Sequence, residues 1–243
     1  MKLLFCLISL FLIPGSAIEF YAGLAGIFNR QELWAPLTIG FGVGLIVSMF
    51  IIRYLRWFTT FDHELTHALM ALIFLRRIRR FIVSSRHGGY VEHSGGFGGE
   101  FGNLIITAAP YFLPTFSIMA VQFIPFVGPE TFYYYLIFVG FTLIYHIVSS
   151  VKETYMGWSK QQYTDVLGES SMTDIGRIGY VAAFLSITGF TLFCYGIIFV
   201  MLLYGYTGLW PFCKSVCLSS WNLYHDLFVM IYAMVIDMIS KYF

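Results

Sequence analysis

Two histidines and a glutamate lie within one short motif, His63-Glu64-Leu65-Thr66-His67. Residues four positions apart lie on the same face of a helix, so two imidazoles at this spacing can bind one metal ion. Zinc is the metal typical of this pattern, and it lowers the pKa of a bound water to about 7. Glu64 follows His63 directly and can accept a proton from that water. The motif therefore predicts a zinc site with His63 and His67 as ligands and Glu64 as the catalytic base.

The surroundings of the motif separate it from a chance match. The motif, preceded directly by Asp62, lies in the largely apolar segment 57–75. Ionisable side chains in hydrocarbon cost several kcal/mol unless they face a polar interior and are paired. Four such residues in six positions therefore indicate a metal site and not a satisfied pair of core histidines.

A catalytic zinc usually has three protein ligands and one open position, so a third ligand must come from elsewhere in the chain. Asp174 is favoured, because residues 171–176 lead from a polar loop into an apolar helix, where a carboxylate can be buried against a metal. The alternative role for Asp174 is to cap that helix. Asp165 is the second choice, and the remaining candidates are Glu153, His146 and His225.

Several other polar residues have weaker signals. Asn103 begins a proline-interrupted apolar segment and is a candidate substrate-binding residue, with helix capping as the alternative. His87 and His93 flank a predicted turn, which favours exposed loop histidines. Cys213 and Cys217 are close enough in sequence to form a disulfide.

The composition places the whole chain in a membrane. Of the 243 residues, 58% are hydrophobic and 11% are charged, against roughly 25% charged in an average soluble domain. The 14 basic and 13 acidic residues nearly balance. This balance gives no argument for a nucleic-acid partner, and it makes the lipid bilayer the expected surroundings.

The predicted fold class is an all-α membrane protein, a polytopic bundle of about six transmembrane helices with a short β-hairpin after the motif helix. Crossing roughly 30 Å of hydrocarbon takes about 20 residues. Residues 1–28 are either a signal peptide or a first transmembrane helix, and 219–239 either spans or lies in the interface. The apolar segments that support this count are 36–52, 57–75, 103–127, 131–151, 177–206 and 219–239.

Two polar segments connect these apolar runs. In the first, the strand-like residues Phe81 to Val91 predict a β-hairpin, and the glycine-rich residues 95–102 follow it. Its basic part, 76–86, is predicted to lie in the cytoplasm by the positive-inside rule. Strict alternation of spans then places the second polar segment, 152–173, on the same side. It places Arg53 and Arg56 on the opposite side.

The motif helix, the glycine-rich hairpin, the further spans and a downstream aspartate resemble the site-2-protease family of intramembrane metallopeptidases over Trp57 to Tyr206. The resemblance implies that zinc is bound by His63, His67 and Asp174, with Glu64 as the base. It also implies that the hairpin presents substrate as a strand. The family usually places its aspartate in a Leu-Asp-Gly triplet, whereas Ile175 and Gly176 follow Asp174 here.

Together these features predict one membrane-embedded peptidase domain over 1–243, with a catalytic core at 57–206 and a C-terminal hydrophobic segment at 207–243. The predicted activity is zinc-dependent hydrolysis of peptide bonds in membrane proteins or peptides, by a multi-pass protein of the cell's inner or plasma membrane. The alternative is a non-proteolytic protein, either a metal or proton transporter or a haem-binding bundle. The sequence does not indicate the oligomeric state.

Overall fold

The computed structural model describes residues 1–84, 88–159, 162–164 and 170–242, and helices account for most of them. Two antiparallel strand pairs interrupt the helices: β1 (Arg77–Ser84) with β2 (Gly88–Ser94), and β3 (Gln162–Thr164) with β4 (Ser170–Met172). The α-helices of the described residues are α1 (Lys2–Phe28), α2 (Gln31–Tyr54), α3 (Arg56–Ile73), α4 (Gly99–Phe112), α5 (Thr115–Val121), α6 (Pro129–Ser159), α7 (Asp174–Ile178), α8 (Tyr180–Tyr204) and α9 (Leu209–Tyr242).

Several of these helices are long and apolar enough to cross a bilayer, so the chain is an integral multi-pass membrane protein. Four helical stretches in the described residues qualify, namely Lys2–Phe28, Gln31–Tyr54, Pro129–Ser159 and Tyr180–Ile236. Helices α4 and α5 qualify only as a pair, and they meet at a bend of 84°. The count is therefore four, or five with the bent pair, and the predicted count of about six spans is not confirmed.

The motif helix α3 is not among the candidate spans. Arg56, Asp62 and Glu64 put three charged residues into its 18 residues, which is too polar for an independent crossing. Its apolar residues instead pack against α4 and against both strands of the β1–β2 hairpin. The predicted span over 57–75 is a helix, but this helix does not qualify as an independent span.

The long stretch from α8 into α9 reverses direction at a 3-10 turn, Gly205–Gly208. Helix α8 runs parallel to α1, whereas α9 runs back along α1 in the opposite direction, so α1 lies against both. The contacts that fix these directions are Ser9 with Gly189 and Gly23 with Phe199 for α8, and Gly15 with Ser220 and Leu10 with Tyr224 for α9.

Helices α2 and α6 pack at very close range through two glycines. A Cβ atom on Gly40 would overlap the carbonyl oxygen of Ile137, and one on Gly140 would overlap that of Leu37. Small residues at such crossings allow membrane helices to approach each other by van der Waals packing. This contact holds the C-terminal half of α6, which carries Lys152 and Glu153, beside the C-terminal end of α2.

The predicted hairpin is confirmed and is longer than expected. Strands β1 and β2 pair from Arg77 with Ser94 to Ser84 with Gly88. The edge of the Phe81 ring meets the Phe61 ring of α3, with the centroids 6.1 Å apart. The hairpin is therefore fixed against the motif helix.

The basic residues after α2 lie on a different side from the one predicted. Arg53 and Arg56 line the same cavity as Lys152 and Asp174, so they share an end of the bundle with the segment that follows α6. The alternation argument was wrong at this point, since it counted as full crossings both α3, which is too polar for an independent crossing, and the bent pair of α4 and α5. Cys213 and Cys217, both on α9, are free thiols, so the suggested disulfide is not formed.

Candidate functional site

Three potential ligand atoms from α3 and α7 form a nearly equilateral triangle. His63 Nε2 lies 3.1 Å from Asp174 Oδ2, His67 Nε2 lies 3.2 Å from Asp174 Oδ2, and the two Nε2 atoms are 3.2 Å apart. The helical spacing of four residues brings the two imidazoles together, as the motif predicted. Asp174 joins them from 107 residues further along the chain.

The dimensions of this triangle fit a zinc ion. Tetrahedral zinc with bonds of about 2.0–2.1 Å places its ligand atoms about 3.3 Å apart. Two imidazoles and one carboxylate can thus occupy three corners of the tetrahedron and leave the fourth corner open. His63, His67 and Asp174 are also the group of His, Cys, Asp and Glu side chains in the described residues whose ligand atoms cluster closely enough to hold a metal.

The orientation of His67 supports the same interpretation. Its Nδ1 lies 2.8 Å from the carbonyl oxygen of Ile106 on α4. A carbonyl oxygen only accepts hydrogen bonds, so Nδ1 carries the proton and donates. In the neutral ring, Nε2 then presents its lone pair to the triangle. Fixing the second nitrogen in this way is the usual support for a metal-binding histidine.

Asp174 is not needed as a helix cap. The cap of α7 is Thr173, whose hydroxyl oxygen accepts a hydrogen bond from the backbone N–H of Gly176 at 3.3 Å. Burial alone would raise the pKa of Asp174, but the imidazoles of His67 and His63 lower it below its ordinary value. The carboxylate is therefore available to face the two histidines, with Oδ2 within 3.2 Å of both Nε2 atoms.

Glu64 lies under the backbone of the hairpin. Its side chain is 7% exposed, and a Cβ atom on Gly89 of β2 would collide with its Cγ and carboxylate. Gly89 has no need of a left-handed backbone, unlike Gly88, whose φ is +79°. Because Gly89 has no side chain, the Glu64 carboxylate has room beneath strand β2.

One cavity of about 570 Å³ connects these groups to the outside. His63, Glu64 and Asp174 lie in it together with Gly89 of the hairpin. Tyr111 of α4 also lines it, and this ring meets the His63 ring edge-on with the centroids 5.7 Å apart. The remaining lining residues are Ile52, Arg53, Arg56, Thr59, Thr60, Gly88, Lys152, Glu153, Met156, Gly157 and Thr173.

The other candidates for a third ligand lie away from the triangle. His146 is buried, and its Nδ1 is 2.8 Å from the Tyr195 hydroxyl. Glu153 lines the cavity but lies 3.7 Å from the Lys152 ammonium, and His225 lies on α9 beside Asp226. Asp165, the second choice, falls outside the described residues, as does His87.

Asn103 is placed in a different environment from the one predicted for a substrate-binding residue. Its side-chain oxygen accepts a hydrogen bond from the buried guanidinium of Arg76. Asn103 and His93 line a second cavity, of about 410 Å³, together with Lys2 and Arg177. Burial and the Arg76 charge lower the pKa of His93. The structure thus does not bring Asn103 into the cavity of the histidine–aspartate triangle.

Sequence reasoning missed four features of the site: the Ile106 carbonyl, the Tyr111 ring, Gly89, and the arginines at positions 53 and 56. A backbone carbonyl carries no sequence signal. Gly89, next to Gly88, was interpreted as part of the turn. The left-handed backbone of the turn requires a glycine only at position 88. The second glycine, at position 89, was therefore the available signal that another group lies close to the backbone there.

Comparison with known proteins gives one finding. A family model described as Peptidase M50B-like matches residues 37–208. The match runs from the first third of α2 to the end of the 3-10 turn after α8 and includes the triangle and Glu64. No curated protein and no solved structure shows a significant match.

Proposed function

The chain belongs to the peptidase M50B-like family, and on this premise we propose that it is a zinc-dependent endopeptidase that hydrolyses peptide bonds of membrane proteins within the bilayer. The observation that carries the proposal is the triangle of His63, His67 and Asp174, two corners of which, His63 and Asp174, line one cavity with Glu64. A ligand set with an open position beside a buried carboxylate is what a hydrolytic zinc site requires.

In this proposal His63, His67 and Asp174 hold the zinc, and the His67 ring is held in place by the Ile106 carbonyl. Zinc, when bound, supplies positive charge that polarises the scissile carbonyl and acidifies water. Glu64 accepts the proton of the attacking water, whose oxygen adds to the carbonyl carbon. Glu64 then delivers that proton to the amide nitrogen, which leaves as the amine when the C–N bond breaks.

The cavity and the hairpin together address the difficulty of cleaving a membrane helix. The carbonyls of such a helix are occupied by internal hydrogen bonds, and the lipid contains no water. The polar lining of the cavity gives water a path to Glu64. We propose that the β1–β2 hairpin pairs with an unwound segment of substrate, as in strand addition.

The proposal extends to the organisation of the chain. Residues 1–243 form one peptidase domain with its catalytic core at 57–206 and a C-terminal hydrophobic segment at 207–243. The basic loop 76–86 faces the cytoplasm in this proposal, as the positive-inside rule predicts. A substrate-binding role for Asn103 stays a prediction. The amide nitrogen of Asn103 would perform it, because the side-chain oxygen already accepts a hydrogen bond from Arg76.

Metal analysis tests this function against its alternatives. We expect purified protein to contain about one zinc per chain, because the three ligand atoms are already within bonding geometry of one ion. Chelation should abolish hydrolysis of labelled transmembrane peptides in detergent, and added zinc should restore it. Haem absorbance, paired iron or chelator-insensitive activity would contradict the proposal. The family match does not favour a transporter or a haem protein.

Gly89→Ala should impair catalysis without removing zinc. The added Cβ would collide with the Glu64 side chain, so either the carboxylate or strand β2 must move. A misplaced catalytic group commonly costs on the order of 100-fold in rate, and we expect a loss of about that size in kcat. Zinc content should stay near that of the wild type.

Gly42→Ala is the matched control for this prediction, because a Cβ at Gly42 meets nothing within 4 Å. Its kcat should equal that of the wild type. A Gly89→Ala enzyme with unchanged kcat would show that the hairpin does not hold Glu64 in its working position.

A further inference from the structure

The mouth of the catalytic cavity is basic. Arg53 and Arg56 are exposed and both line the cavity that contains His63 and Glu64. Among the ion pairs of the described residues, none involves either arginine. The Arg53 guanidinium instead lies 5.5 Å from the centre of the Tyr54 ring. Within the part of the chain that the structure describes, two guanidinium groups therefore face the cavity mouth without a carboxylate partner.

The remaining charges of the described cavity lining do not cancel this excess. Lys152 contributes a third cation, and the nearby carboxylate of Glu153, at 3.7 Å, balances one of the three. The other acidic groups of the lining, Glu64 and Asp174, lie at the catalytic end and are engaged there with the histidines and the hairpin. The cavity thus separates an acidic catalytic end from a mouth with an excess of positive charge.

A site arranged in this way selects among peptides by charge. A cleft whose walls carry one sign of charge concentrates ligands of the opposite sign. Guanidinium groups bind carboxylates through paired hydrogen bonds, and this interaction is stronger where part of the surrounding water is excluded. A cation on the substrate would be repelled by the same groups.

We propose that the preferred substrates carry an aspartate or glutamate within the segment that fills the cavity, and that Arg53 and Arg56 bind this carboxylate. The inference rests on the proposed peptidase function, because it assigns the cavity to a peptide. The position of both arginines in one cavity with His63, Glu64 and Asp174 favours a peptide carboxylate over the phosphate of a lipid headgroup.

Binding measured without turnover tests the inference. The probes are three labelled apolar peptides that are identical except for one central Asp, Asn or Lys, and the protein is Glu64→Gln in zwitterionic nanodiscs. We expect the Asp peptide to bind on the order of 10-fold more tightly than the Asn peptide, and the Lys peptide to bind most weakly. This preference should decrease as ionic strength rises.

Substitution of the arginines should remove the preference. Adding Arg53→Gln and Arg56→Gln should make the Asp and Asn peptides bind equally, whereas Arg53→Lys with Arg56→Lys should keep most of the difference. The matched control, Arg30→Gln with Lys214→Gln, removes the same charge from exposed residues outside the cavity and should keep the full preference. Each single Gln variant should show an intermediate loss if the double variant folds poorly.

Three results would overturn the inference: equal affinity for the Asp and Asn peptides, weak binding of all three peptides, or a preference that persists without the arginines. If the arginine substitutions weaken only the association with phosphatidylglycerol vesicles, the two residues bind lipid headgroups and the inference also fails. Hydrolysis by the wild-type enzyme is measured separately. Cleavage without an acidic preference overturns this inference alone, and acid-selective binding without any cleavage overturns the peptidase proposal alone.

Discussion

Glu64→Gln is expected to abolish peptide hydrolysis while the protein keeps about one zinc per chain. Glutamine has nearly the shape of glutamate, so it fits the same space beneath Gly89 of the hairpin. Its amide cannot accept the proton that the attacking water must lose. Positioned general bases contribute roughly 10²- to 10⁴-fold, and we expect kcat to fall by at least this range. Mass-spectrometric detection of peptide products, with zinc measured on the same sample, checks both parts.

The control for this variant removes a different carboxylate, one that lies outside the site. Glu130 lies in the first turn of α6 and is exposed, so Glu130→Gln should leave kcat unchanged. Two outcomes would contradict the proposed role of Glu64. Turnover at the wild-type rate would show that Glu64 is not the base, and loss of zinc would show that Glu64 binds the metal.

The parts of the site that lie close together in sequence could be predicted from the residues. The spacing of His63 and His67 fixes their common direction on a helix, whatever the rest of the fold does. The hairpin followed from strand-forming residues on either side of a glycine-rich turn. In both cases the deciding interactions lie within about 20 residues of each other, and local patterns record such interactions well.

The number of spans was less predictable, because apolar composition alone does not distinguish a crossing from burial within the protein. Segment 57–75 is apolar enough to suggest a span, yet α3 carries three charged residues and packs against α4 and the hairpin. The bent pair of α4 and α5 was likewise counted as a full crossing, and this miscount of crossings moved Arg53 and Arg56 to the wrong side. The position of these two arginines at the mouth of the cavity could therefore not be predicted from the sequence.

Contacts made by backbone atoms could not be predicted from the sequence either. The Ile106 carbonyl orients His67, and the backbone at Gly89 covers Glu64, but neither depends on a distinctive side chain. The third candidate ligand is an intermediate case. A carboxylate at the start of an apolar helix was a sound criterion for Asp174, although the criterion could not separate metal binding from helix capping.

Zinc affinity distinguishes metal binding from helix capping at Asp174. We expect Asp174→Ala to lose zinc as completely as His63→Ala and His67→Ala do, because each substitution removes one corner of the triangle. Changes to groups that only support a ligand cost 10- to 100-fold in metal affinity. Loss of a ligand itself should therefore weaken zinc binding by more than about 100-fold, measured by competition with a chromogenic chelator.

Thr173→Ala is the control that distinguishes the two roles of this position. The Thr173 hydroxyl caps α7, and loss of such a cap costs about 1 kcal/mol in stability. This variant should unfold at a lower temperature and still bind zinc, whereas Asp174→Ala should lose zinc. Asp165→Ala should bind zinc as the wild type does. If zinc is instead lost on substitution of Asp165 and retained on substitution of Asp174, then the third ligand is Asp165, and the triangle at α7 is an ion pair between histidines and a carboxylate.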